Sequence, residues 1–345
     1  MFSLTYKVTS PNVIEEFIEE VSVNKGQTLV KVERMAICKA DIRYFLGLRN
    51  KNVLDHKYPL TPIHEAVGTV IKDYTGKYKA GDKVILVPNY VDRNMCKGCP
   101  NTRCHNEELG ENYCPYAIFR SSNKDGFLRP FFVANEEGLV KYNKDIDPSV
   151  AVWSELLSVS VAACRRLGIK NNQRVAIFGD GIMGYMVYLI LVHKYHCDAT
   201  VFGVDDNKLN SFKNASKTKY ATYTGERFDT LIEAVGGRFS ADAINQMIDL
   251  SLVGADLLLM GVSEENAPLN TRKVLEKGLS LKGVTRSNYQ DFEEVARLLE
   301  KEELRDEIRP LILSENIIES VNDIYKVFDA DIKNTQVIGK NIMKW

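Results

Sequence analysis

The sequence predicts an α/β protein in two parts, a β-rich lobe followed by a doubly wound parallel sheet. Three observations predict it. Apolar runs are short and turn-bounded before residue 150 and alternate with long helical periods after it. A glycine-rich loop joins an apolar strand to a long apolar helix at 174–195. With 345 residues, 45% of them hydrophobic, the chain carries more core than one domain usually holds.

The first lobe is read from TLVKVERMAI, AVGTVIKDY, AGDKVILVPN, GFLRPFFVAN and EGLVKY, each bounded by Gly, Asp or Pro. From about 150, RVAIFGD, ATVFGVD, DTLIEAVG, ADLLLMGV and LSLKGV read as strands with helices between them, the pattern of a parallel sheet. EELRDEIRPLI and TQVIGKNIMKW form a mixed tail that is expected to fold back onto the first lobe. The boundaries expected are 1–150 plus 300–345 for the β-rich domain and 151–299 for the parallel-sheet domain.

Charge and hydropathy exclude several classes. Lys plus Arg number 45 against 46 Asp plus Glu, so no basic face calls for nucleic acid or an anionic membrane. The longest apolar stretch, MVYLILV, is far short of the roughly 20 residues of a membrane span. MFSLTYKVTSPNVIEEF lacks a secretory pattern, and a cytoplasmic location is expected.

Gly179, Gly181 and Gly184 have G-x-G-x-x-G spacing. The first permits a tight turn, the second a close approach of pyrophosphate to the backbone, and the third close packing of helix on strand. Asp205 closes the next strand, 21 residues after Gly184. An acid there would hold the adenosine ribose, and its charge taken alone favours NAD over NADP. As a solvated turn residue beside Asp206 and Asn207 it would do neither.

Two metal sets stand out. Cys38, followed 26 residues later by His64 and Glu65, supplies a thiolate, an imidazole and a carboxylate, the donors of an open catalytic zinc. Cys96, Cys99, Cys104 and Cys114 supply four thiolates at short spacing, a closed structural zinc site, with His105 able to replace Cys104. Cys164 and Cys197 read as packing thiols.

These strings resemble the zinc-containing medium-chain dehydrogenase/reductase superfamily over essentially the whole chain: Cys38 and Asp41 in C-x-x-D, His64-Glu65 ahead of Gly68, GDKV at 81–84, the four-Cys lobe and the glycine loop. The resemblance implies a GroES-like catalytic domain, a Rossmann dinucleotide-binding domain, and a homodimer or homotetramer. SELLSVSVAACRR is similar to the polyol dehydrogenase segment in which a Glu sits at the metal, which adds Glu155 to Cys38, His64 and Glu65 as candidate ligands.

RYFLGLRN, FRSSNKDGF, IEAVGGRFSADAINQMID, MGVSEENAPLNTRKVLEKGLSLKGVTRS and GKNIMKW are similar to the ribulose-5-phosphate reductases that make ribitol 5-phosphate for teichoic acids and capsules. This likeness implies zinc-dependent reduction of D-ribulose 5-phosphate with NADPH, so NADPH and NADH both stay open. Arg43, Arg49 and Arg286 are candidates for gripping the substrate phosphate. Ala40 stands where simple alcohol dehydrogenases have a proton-relay hydroxyl, which routes the proton through water at the metal, Glu155 or a substrate hydroxyl. The alternatives are an NAD-dependent, sorbitol-type dehydrogenase of an unphosphorylated polyol and, from another class, a dinucleotide-sensing zinc protein without turnover.

Overall fold

The structure is a computed structural model, and it describes residues 1–91 and 109–345. Packing divides them into two units: Met1–Ser158 with Ser287–Thr335 and Gly339–Trp345, and Val159–Arg286 with Gln336–Ile338.

The first unit opens with a hairpin, β1 (Phe2–Ser10) antiparallel to β2 (Val13–Glu20). Its main sheet uses β3 (Gln27–Ala36), β4 (Glu65–Asp73), β5 (Lys83–Leu86), β8 (Phe131–Asn135) and β9 (Leu139–Lys141). The tail adds β16 (Ile312–Ile317) and β17 (Lys340–Lys344). Among the described residues the order is β16-β17-β3-β4-β5-β9, with β8 also pairing β3. A short second ribbon joins β6 (Asn89–Val91) to β7 (Ala117–Phe119). Alternating apolar residues such as Val30, Val32, Val70, Val84 and Met343 turn inward onto one core, reinforced by Phe127 and Phe328. The centre of the sheet matters most for chemistry. Ala36 of β3 pairs with Glu65 of β4 on one side and with Ile342 of β17 on the other, so the end of β3, the start of β4 and the middle of β17 meet just before Cys38.

The second unit is an all-parallel sheet in the order β12-β11-β10-β13-β14-β15. The strands are β10 (Arg174–Phe178), β11 (Asp198–Phe202), β12 (Ser216–Thr218), β13 (Phe228–Glu233), β14 (Ser251–Leu259) and β15 (Ser280–Gly283). The order runs outward both ways from β10, which places the topological switch at the glycine loop. Helix Ile182–Tyr195 is apolar nearly all round, as suits a helix packed between sheet and protein, and it ends in a left-handed His196.

Candidate active site

Cys38 is the N-cap of helix Lys39–Phe45, placed there as β3 runs out. One turn on, Asp41 is fully buried and organises the surroundings. Its Oδ2 accepts the Cys38 N–H at 3.0 Å, and its Oδ1 accepts the Ile63 N–H at 3.0 Å. The Ser121 hydroxyl donates to the same Oδ1, which also lies 3.4 Å from His64 Nδ1. Ile63 and Ser121 both hold left-handed backbone, φ 75° and 58°. That conformation is strained for any side chain and most for a β-branched one. The strain is held from two sides: Asp41 takes the Ile63 N–H, and the Phe127 N–H donates to the Ile63 carbonyl at 2.8 Å.

Cys38 Sγ, a His64 ring nitrogen and a Glu65 carboxylate oxygen lie within 4.8 Å of one another. Burial pushes the His64 imidazole down, but Asp41 and Cys38 more than reverse this, and it sits well above its ordinary value. Burial raises Asp41, and His64, the Ser121 hydroxyl and the Cys38 N–H together outweigh that and hold it below the usual carboxylate range. The donor set fits zinc: a thiolate, an imidazole whose other nitrogen is held by a carboxylate, and further carboxylates at hand.

The two glutamates differ. Glu65 is fully buried, and both of its oxygens accept from Lys340 Nζ on β17. Glu155, in the first turn of helix Ser154–Leu167, is also buried but forms no ion pair among the described residues. Burial is the main cause that pushes it up to about 7, with Glu65 adding to the rise and His64 opposing it.

In the second unit, Gly179 has φ 132°, and Gly181 is the N-cap of helix Ile182–Tyr195. A Cβ on Gly184 would stand 2.0 Å from the Gly179 carbonyl oxygen, so only glycine allows this helix to approach the strand. Asp205 has its Oδ1 turned onto the N–H groups of Asn207 and Lys208, at 2.9 and 3.2 Å, where it caps the turn Asp206–Leu209. Asp180, between the first two glycines, accepts the Val204 and Asp205 N–H groups at 2.7 and 2.8 Å. Beside this turn is an open cavity of ≈ 370 Å³ lined by Asp206, Asn210, Lys217, Thr218, Lys219 and Thr222.

Of the arginines, Arg43 lies in the helix that Cys38 caps, and Arg49 stacks on Tyr44 at 5.3 Å. Arg286 is exposed, in left-handed backbone, and belongs to the second unit. Cys96, Cys99, Cys104 and His105 lie outside the described residues. Cys114 is described, buried beside Val91, Ala117 and Phe119. Sequence reasoning did not foresee Ser121, Lys340 or Asp180 at these centres. Asp180 alone had a local signal, its place inside the glycine loop.

Comparison with known proteins supports the fold and the family. Residues 24–144 match the alcohol dehydrogenase GroES-like domain and residues 194–301 the zinc-binding dehydrogenase domain. Ribulose-5-phosphate reductase 1 of Staphylococcus aureus is 36% identical, covering 100% of this chain and 99% of its own. Ribulose-5-phosphate reductase of Streptococcus pneumoniae is 33% identical over 100% and 98%. The crystal structure of S. aureus TarJ in complex with NADPH superposes with a TM-score of 0.84 at 34% identity, over 100% and 99%. L-idonate 5-dehydrogenase of Escherichia coli, 19% identical with a TM-score of 0.86, shares the fold. The chain belongs to the zinc-containing medium-chain dehydrogenase/reductase superfamily, in the family that carries the ribulose-5-phosphate reductases.

Proposed function

We propose that this protein reduces D-ribulose 5-phosphate to D-ribitol 5-phosphate by hydride transfer from NADPH at a zinc centre. The observation that carries this reading is full-length likeness to ribulose-5-phosphate reductases together with Cys38 and His64 in one place with two buried carboxylates near them, Glu65 and Glu155. Cys38 and His64 hold the metal, and Glu155 is the third ligand. Glu65 is less suited, because drawing it away from Lys340 would strand a buried ammonium, a loss of about 3–5 kcal/mol. Bound zinc supplies a Lewis acid for the ketone. Asp41 keeps His64 Nδ1 engaged and so turns the other ring nitrogen to the centre. Ala40 offers no hydroxyl, and with Glu155 given to the metal the proton that balances the hydride comes from water or a substrate hydroxyl. Arg43 and Arg49, both in the first unit, are proposed to take the substrate phosphate.

The dinucleotide lies on the glycine loop of Gly179, Gly181 and Gly184. Asp205 caps a turn with one oxygen, and the cavity beside it is lined by Lys217 and by Lys219, whose ammonium pairs with Asp206, so Lys217 is the cation proposed for a 2′-phosphate. Among the described residues no helix is long and apolar enough to cross a membrane. NADPH and a sugar phosphate fit a cytoplasmic enzyme, with its product directed to teichoic acid or capsule, and a homodimer or homotetramer is the expected assembly. Four thiolates at Cys96, Cys99, Cys104 and Cys114 are proposed to hold a second, structural zinc.

The test is the initial rate of NADPH oxidation with D-ribulose 5-phosphate, repeated with NADH and with unphosphorylated ribulose. Oxidation that requires the phosphate is expected. Equal rates with the free sugar would favour the polyol dehydrogenase instead. Cys38→Ser should lose zinc and turnover while keeping its circular dichroism spectrum.

A further inference from the structure

The dinucleotide reading leaves one buried acid unused. Glu233 ends β13, is fully buried, and forms no ion pair among the described residues. Taking a carboxylate out of water without a cation costs several kcal/mol unless donors surround it. Donors do surround it, and they come from two different turns. Oε1 accepts the Val235 N–H at 2.9 Å, the Gly236 N–H at 2.8 Å and the Ser240 hydroxyl at 3.3 Å, all in the stretch after β13. Oε2 accepts the Gly261 N–H at 2.9 Å, in the turn after β14. The Gly237 N–H then donates to the Val262 carbonyl at 2.9 Å, so the two turns are tied together above the carboxylate.

The site of this knot is informative. A Cβ on Gly179 would stand 2.9 Å from the Ala234 carbonyl carbon and oxygen, so the first glycine of the loop rests directly on the turn that Glu233 holds. Both turns lie at the carboxyl ends of parallel strands, where this architecture takes its ligands. Each presents an apolar side chain to solvent, Val235 at 40% and Val262 at 50% exposed. Two valines exposed on turns that are themselves rigidly bonded form a surface for a flat, apolar ring face.

We propose that Glu233 is a positioning residue for the dinucleotide: one carboxylate sets the turns after β13 and β14 at a fixed separation beside the glycine loop, so that the cofactor meets a preformed wall. The proposal rests on the reading that this unit binds NADPH. Glu233 touches no substrate and acts through the Gly261 turn.

Glu233→Gln keeps size and shape but places an amide N–H against either the Gly261 N–H or the Val235 and Gly236 pair, which releases one turn. Its NADPH dissociation constant, from quenching of the nicotinamide fluorescence well below the melting temperature, should rise about tenfold, the loss of one charge-assisted partner. The KM for ribulose 5-phosphate at saturating NADPH should stay within about twofold, since the carboxylate acts on cofactor binding alone. Gly261→Ala reaches the same knot from the other side, because its Cβ would stand 2.3 Å from Glu233 Oε1. It should weaken NADPH equally, and the double variant should bind no worse than either single one, the signature of two changes in one linkage. An unchanged dissociation constant in Glu233→Gln, even with a lowered melting temperature, overturns the proposal, as do effects that multiply in the double variant. If Glu233→Gln does not fold, Gly261→Ala carries the comparison alone: unweakened binding there overturns the proposal. Wild-type protein that binds neither NADPH nor NADH overturns the reading beneath it, a result distinct from unaltered variants of a protein that binds.

Discussion

Lys340 and Ser121 show what a single side chain does at a buried charge. Lys340→Met leaves the buried Glu65 carboxyl without its cation, and should cost about 3–5 kcal/mol in urea unfolding. Adding Glu65→Leu removes the stranded carboxyl and should recover most of that. Ser121→Ala takes one donor from the buried Asp41 and should cost about 1–3 kcal/mol. It should also speed zinc release to a chelator, because Asp41 steadies His64. At this scale the sequence is legible where residue type carries chemistry. Cys38, His64 and Glu65 can be proposed from thiolate, imidazole and carboxylate alone, and the structure brings them within 4.8 Å. Lys340 could not be, since an ordinary lysine 275 positions from Glu65 gains its meaning only from the pairing of β17 with β3. Asp205 can be proposed for the ribose from its place after β11, but its capping of Asp206–Leu209 could not be, since that role is set by the backbone of the following turn.

Turns and strand ends decide the next scale. Gly184→Ala sets a methyl group against the Gly179 carbonyl and should abolish tight NADPH binding, as read by fluorescence titration. Asp73, at the end of β4, tests acid stability. Burial raises it, but bonds from Thr28, Thr75 and the Thr75 and Tyr78 backbone together bring it down to about 2. A carboxyl depressed by folding stabilises above its unfolded value near 3.8 and loses that contribution as pH falls toward 2. Asp73→Asn should therefore lower the melting temperature at pH 6 and matter progressively less between pH 4 and pH 2. The strands from β3 onward were mostly readable because their apolar runs are bounded by turn residues. The hairpin of β1 and β2 has no counterpart among the strands read from the sequence. β2 carries Glu15, Glu16, Glu19 and Glu20, and most of its residues face outward, so the alternation that marks a half-buried strand is faint.

For the whole molecule, the two sets of functional residues fall in different units, with the metal-ligand candidates in the first and the glycine loop in the second. NADPH at a hundred times its dissociation constant should stabilise the folded protein by about 2.7 kcal/mol, and chelation should destabilise it, both measured by calorimetry. The order of the parts along the chain was legible, since strand period and helix period change near residue 150. Less legible was the return of the chain at 287 to the first unit, because amphipathic helices such as Tyr289–Leu298 look alike whichever sheet they cover.

The pairing of β17 beside β3 has a consequence for how the protein is made. Cys38, His64 and Glu65 leave the ribosome early, while Lys340 follows Glu65 by 275 positions. Throughout that interval the carboxylate lacks its cation and β3 lacks its neighbour. The Glu65–Lys340 pair can therefore form only once β17 has been made and has paired with β3. A nascent chain stalled before residue 340 should surrender zinc to a chelator that the finished protein resists.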